Sequence, residues 1–207
     1  TYDVTPLHNA ANCGQIDICK LIIGNIQDKN PKDIQGRTPL FMAIAMGHLN
    51  ICKFIIENVP EKNYGDHYGQ TLFHLAAERG YLAVCKLFIE NMQDKHPRDN
   101  AGYTPLHYAA SEGHLDVCKV IIENVQNMNP RSDNGNTPLH TAAESGEMDI
   151  CKLIIESMQN ENPGSIQVQT GNNLGITPLD RAKQFGYPNI CEYFNSFLNK
   201  ENPTAEY

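Results

Sequence analysis

Cysteine, histidine and paired carboxylates are the side chains through which this sequence could do chemistry. It holds 7 Cys, 8 His and 24 Asp or Glu in 207 residues. Thiols serve as zinc ligands, disulfide partners or nucleophiles, and each role needs a particular spacing. Cys19, Cys52, Cys85, Cys118 and Cys151 follow one another at steps of 33, and Cys191 comes 40 later. The short Cys-x2-4-Cys pairs of structural zinc sites are missing. His8, His74, His107 and His140 keep the same register. A metal or a general base needs partners that converge on one point, whereas a repeating chain spreads equivalent residues along a line. Paired acids such as Glu144 and Glu147 fall on a helix face with no companion pocket. There is no Gly-rich phosphate loop, no Gly-x-Ser-x-Gly elbow and no His-Glu-x-x-His. The expectation is a protein with no catalytic residues, no cofactor and no metal.

Periodic residues imply periodic elements. Thr5, Thr38, Thr71, Thr104 and Thr137 are 33 apart and Thr177 follows after 40; each opens Thr-Pro-Leu except Thr71-Leu72-Phe73. In the second unit Thr38 suits an N-cap, and Pro39 suits the first helical position, where its missing N–H costs nothing. Leu40, Ala43 and Ile44 recur at helical spacing, and Gly47 tolerates the positive φ that ends a helix. A second helix is predicted over about Leu49 to Asn58, apolar around much of its circumference through Leu49, Ile51, Cys52, Phe54, Ile55 and Ile56. A helix packed between two neighbours needs such a surface; a surface helix does not. Asp66 to Gly69 read as a polar turn into the next unit.

Thr-Pro-Leu-His-x-Ala-Ala at Thr104 to Ala110 and Thr137 to Ala143, each followed by Gly and a second apolar helix, closely resembles the ankyrin repeat. The resemblance runs from Thr5 to about Leu198. It implies an all-α repeat solenoid of stacked helix-turn-helix units with β-hairpin or turn connections. Residues 1–207 are expected to form a single domain with repeats at about 5–37, 38–70, 71–103, 104–136, 137–176 and 177–207. The family implies that the periodic His hydrogen-bonds turn backbone. His48 and His114, after the inter-helix glycine, read as structural too. Phe41 replaces His, Ile44 replaces Ala and Leu72 replaces Pro. The polar Asp180-Arg181-Ala182-Lys183 marks the last unit as a C-terminal cap facing water. The first unit lacks a full preceding hairpin and begins with Thr1 rather than Met, which leaves room for polypeptide upstream.

The periodic Cys then fall in apolar helix stripes, where a free thiol behaves as a small hydrophobe. Helices in neighbouring repeats pack about 8–10 Å apart, beyond the roughly 7 Å that a disulfide spans. Cys13 lies off the period as a reactive thiol. Free thiols suit a reducing compartment, the cytoplasm or the nucleus. Lys53/Glu57, Lys86/Glu90, Lys119/Glu123 and Lys152/Glu156 read as i,i+4 pairs on a solvated face.

Net charge is -8, from 16 basic and 24 acidic side chains. That argues against a surface that neutralises phosphates or docks on anionic lipid. No apolar run is long enough to span a bilayer, and no basic-then-apolar leader opens the sequence. The remaining partner is another protein or peptide, bound by a chain that is a monomer by itself.

Ankyrin-type proteins bind with hairpin tips and the exposed side of first helices. The resemblance carries that role onto Arg37, Met42, Met46, Tyr68, Gln70, Leu75, Arg79, Tyr103, Tyr108, Glu112, Asn136 and Glu144, with Ile34, Gln35, His67, Asn100, Ser111, Asp133, Thr141 and Ser145 beside them. Tyr, Met and Arg are enriched in interface cores, so the stripe centres on Tyr68, Tyr103 and Tyr108; nearby acids favour a partly basic partner segment. The role of recognition arm in a larger enzyme, channel or effector, and that of a structural spacer, stay open. Asn30, Asn63 and His96 occupy the turn position that asparaginyl hydroxylases modify in family members, although Asn also simply suits a turn. The fifth repeat carries seven extra residues, in which Gly164 to Thr170 alternate as a short extended hairpin would. This insertion is either a second contact loop or a tolerated extension.

Overall fold

The computed structural model describes residues 3–59, 68–92, 94–125, 127–161 and 167–201. It divides into two compact units, Thr1–Asn100 and Ala101–Tyr207. The first holds α1 (Pro6–Asn12), α2 (Ile16–Asn25), α3 (Pro39–Ala45), α4 (Leu49–Asn58), α5 (Leu72–Glu78) and α6 (Leu82–Asn91). The second holds α7 (Pro105–Ser111), α8 (Leu115–Ile122), α9 (Pro138–Ser145), α10 (Met148–Glu161), α11 (Pro178–Phe185) and α12 (Pro188–Glu201). These are helix pairs, one pair per repeat. No strand occurs among the described residues; the hairpins are tight turns. In them Arg37 O accepts from Asp33 N, Asn136 O from Ser132 N and Ile176 O from Asn172 N, at 2.8–3.0 Å.

Each first helix starts where Thr holds an extended backbone, as at Thr38 (φ -103°, ψ 165°), whose side chain accepts from Phe41 N. The second helix of that repeat runs over Leu49–Asn58 as the apolar pattern predicts. Ile51, Cys52, Ile55 and Ile56 are all buried. Such wide burial follows from the stacking: α4 lies against α2 on one side and α6 on the other, and α10 likewise lies between α8 and α12. Small residues permit close approach at these seams. Gly146 shows the limit case: its φ is +83°, and a Cβ there would collide with the ring of Tyr187.

The periodic histidines tie successive turns together. At His8, His107 and His140, Nδ1 faces the backbone N–H and the hydroxyl of the capping Thr three residues earlier, at 2.9–3.2 Å. On the other side of the ring, Nε2 lies 2.9 Å from Arg37 O, 3.2 Å from Asn136 O and 3.0 Å from Ile176 O. A carbonyl can only accept and the amide N–H can only donate, so Nε2 carries the proton and Nδ1 is bare. One neutral ring thus caps its own helix and holds the end of the next hairpin. In the last repeat Asp180 stands at the histidine position and caps the helix instead: Thr177 N–H and O–H donate to its carboxylate at 3.0 and 2.7 Å. Those hydrogen bonds hold the Asp180 carboxyl below its ordinary range.

Two expectations need correction. On the second helices the described ion pairs join Lys20 to Asp17, Lys119 to Asp116 and Lys152 to Asp149, not Lys to the following Glu. With the acid N-terminal to the base, this order also suits the helix dipole better. The inserted segment does not extend as a hairpin where it is described: Gln167–Gln169 form a 3-10 turn with Val168 fully buried, packed near α11. Burying one apolar side chain turned the alternating pattern into a helical turn. Residues 162–166 lie outside the described residues.

All seven thiols are free, and Cys19, Cys52, Cys85, Cys118 and Cys151 are buried, as the apolar stripe requires. Burial pushes Cys52, Cys85 and Cys151 up to about 12, against backbone hydrogen bonding that opposes it. Cys13 is exposed and Cys191 half-buried. Titration of the native protein with a disulfide reagent should therefore consume Cys13 rapidly and Cys191 more slowly, with the five buried thiols reacting only after unfolding. Rapid loss of all seven would contradict this packing.

His140 generates a pH prediction. Burial, reinforced by the charges of Arg131 and Arg181, pushes it down to about 4 against the opposing hydrogen bond to Ile176 O. Its folded value lies below the unfolded one, so the unfolded chain binds the extra proton as pH falls from about 6.5 toward 4. Stability is full above that window and declines through it, by about 2–3 kcal/mol at the lower end. Urea unfolding of the wild type and a His140→Gln variant between neutral and acid pH isolates the effect. The wild type should lose this increment relative to the variant; parallel curves would contradict the assignment.

Candidate protein-binding surface

A side chain can meet a partner only if the fold leaves it free to do so. In the first unit the hairpin tip presents Ile34, and the first-helix face presents Met46; both are more than half exposed. Tyr68, at 76% exposure, is the most open aromatic among the described residues of the unit. Arg79 is exposed, and Met42 and Gln70 are half-buried. Leu75 is buried against the core and is not available to a partner.

Arg37 also has internal work. Its Nε and guanidinium nitrogen donate to Asp33 Oδ2 at 2.8 and 2.7 Å. Asp33 Oδ1 accepts from the backbone of Gln35 and Arg37 at 2.9 Å. Burial works against the Asp33 charge, yet these hydrogen bonds and the Arg37 charge together hold its carboxyl below the usual range. The pair closes the turn. A sequence position at a hairpin edge does not distinguish an arginine offered to a partner from one that braces its own loop.

In the second unit Tyr103 and Tyr108 are half-buried and meet edge to face, with ring centroids 6.3 Å apart. Tyr103 also packs on the ring of His107, centroids 5.0 Å apart. Its hydroxyl accepts from Asn134 Nδ2 at 3.1 Å, with Asn136 Nδ2 at 3.5 Å. The ring is therefore fixed at three points while part of it faces outward. Asn136 itself is buried, and its Oδ1 accepts from Asn172 Nδ2 at 2.8 Å, so it belongs to the hairpin scaffold. Glu112 and Asp133 are exposed; Glu144 is half-buried, 3.6 Å from Arg181 Nε in an ionic contact too long for a hydrogen bond. Sequence reasoning missed Leu174, which stands 81% exposed at the tip of the last hairpin. The signal was available: a leucine occupies a turn position where the neighbouring repeats carry Asn134 and Ala101.

The turn residues considered for hydroxylation differ among themselves. Asn30 is buried, and its side-chain amide has no hydrogen-bond partner. The equivalent Asn129 accepts from Leu139 N at 3.2 Å. His96 is half-buried and its backbone N–H donates to Asp94 Oδ1. Asn63 and His67 lie outside the described residues.

No group of three or more His, Cys, Asp or Glu among the described residues is placed to hold a metal ion. No described helix is long and apolar enough to cross a membrane.

A family model of ankyrin repeats, three copies long, matches residues 2–66, 59–131 and 124–203. Among solved structures, an ankyrin repeat domain from Acinetobacter baumannii AYE is similar in fold, with a TM-score of 0.79 at 24% identity, covering 92% of this chain and 96% of that one. No curated protein matches the chain. The repeat register, the helix pairs closed by Thr and Gly, and the matched models lead to one conclusion: the chain belongs to the ankyrin repeat family.

Proposed function

We propose that this chain is a non-catalytic interaction module whose repeats grip a partner polypeptide through hairpin tips and first-helix faces. Ankyrin repeats are generally protein–protein interaction modules. The observation that carries the reading here is the Tyr103–Tyr108 pair. A tyrosine pinned through its hydroxyl and stacked on a neighbour loses little conformational entropy on binding, and its large area then converts efficiently into affinity. Exposed Glu112 and Asp133 lie within the same unit, and the chain as a whole carries a charge of -8. Both favour a partner segment with Lys or Arg beside an apolar anchor. Tyr68, Met46 and Arg79 supply the equivalent surface in the first unit, and Leu174 adds an apolar tip in the second. Arg37, Leu75 and Asn136 support the surface from within. The free thiols fit a reducing compartment, the cytoplasm or the nucleus.

The test is affinity capture from lysate with the wild type and with Tyr108→Ala and Tyr103→Ala/Tyr108→Ala, read by mass spectrometry and followed by titration of the captured partner. Tyr108→Ala should weaken binding at least about tenfold, the cost of one interface hot spot, and the double variant should abolish capture. Melting should fall by only a few degrees, about what one lost side-chain hydrogen bond costs. Full partner binding by the folded double variant would contradict the assignment. High salt should weaken the wild-type complex if basic residues of the partner meet these acids.

A further inference from the structure

The first helix pair carries an apolar face whose counterparts in the later repeats are mostly buried, that of Leu21 being half-buried at Phe54, Leu87 and Leu153. Ile18 and Leu21 are 43% and 67% exposed, Pro6 is exposed, and Ile22 and Ile26 are half-buried. Pro6, Leu7, Leu21, Ile22, Ile26 and Pro31 line a groove of about 560 Å³ between α1 and α2. One repeat later, Pro39, Ile51 and Ile55 stand at the positions of Pro6, Ile18 and Ile22, and all are buried. Val84 and Phe88 are buried in the third repeat, Pro138, Ile150 and Ile154 in the fifth, and Pro178, Ile190 and Phe194 in the cap. The cover is of one kind throughout. Within the first unit α3 packs on α1, α4 on α2 and α6 on α4; within the second α9 packs on α7, α10 on α8 and α12 on α10.

We propose that this face of the first repeat receives a further ankyrin-type helix pair joined upstream of Thr5. The same apolar positions recur along the chain, and the preceding helix pair of the same unit covers them in four repeats. That continuity states what shape and chemistry the face is made for. A water-facing terminal repeat replaces such positions with polar residues, as Lys183 and Asn195 do at the other end, where the earlier repeats carry Ala or Ile; both are exposed, as are Asp180 and Glu192 on the same helices. Those charged side chains also make the cap a poor match for an apolar groove on a second copy stacked head to tail. The inference is independent of the tyrosine surface.

The experiment joins a copy of residues 104–136, a repeat with its own hairpin, in register directly before Thr5 of the full chain. A second extension, built from residues 71–103, guards against a graft that fails to fold. At least one extension should raise the melting midpoint by about 5 °C or more and slow amide exchange in α2 severalfold. Ile18→Glu with Leu21→Glu should move the midpoint of the unextended chain by less than about 3 °C, as exposed positions do, and should erase the gain in the extended one. Three results would overturn the proposal: neither extension changes midpoint or exchange, the gain survives both glutamates, or the unextended chain sediments as a dimer that the glutamates dissociate. The last would assign the face to a second copy.

Discussion

The structure depends on a neutral imidazole that makes hydrogen bonds on both sides. At His8, His107 and His140 one nitrogen completes the cap of the helix on which the residue sits, and the other holds a carbonyl some thirty residues onward. A helix of seven or eight residues is too short to persist alone, since nucleation is costly and few bonds repay it. Its stability comes from the cap and from burial against the next pair. The histidine joins these two sources, because the ring that ends the frayed backbone also fixes the turn that delivers the next helix. Cap and stack therefore form together.

The proposed binding surface inherits its rigidity from this arrangement. Hairpin edges are where a partner can reach backbone and tip residues, and they are also where buried polar groups need satisfying. The two demands compete for the same side chains. Arg37 is taken by Asp33, and Asn136 by Asn172 and Tyr103. What the tips leave outward is a smaller, more aromatic set than hairpin position alone implies: Tyr68, Tyr103, Tyr108, Met46 and Leu174. Rigid rings braced from below suit the proposed contact, because little motion would be lost on it.

Much of the fold was legible in the sequence because helix boundaries here are set by local chemistry. Thr38, Pro39 and Gly47 mark a start and a stop whose causes lie within a few residues, and α4 falls where the apolar pattern puts it. The cysteine stripe was readable for the same reason. Side-chain partners were less legible. The lysines of α8 and α10 had an acid at both i−3 and i+4, and spacing alone favours neither. The 3-10 turn at Val168 arises from tertiary burial that alternation cannot show. The candidate site suffers most, since Leu75 at a first-helix position is buried while Leu174 in a turn is exposed. Those outcomes depend on neighbours distant in sequence.

The measurement closest to the central claim is the tautomer and protonation state of the capping histidines, read from the ring 15N shifts and long-range 1H–15N couplings of the native protein at neutral pH. The account predicts that His8, His107 and His140 are each neutral with the proton on Nε2, and that these Nε2–H protons exchange slowly with solvent. A proton on Nδ1, or a charged ring at neutral pH, would contradict it, because neither state can accept from the capping threonine while holding the next hairpin.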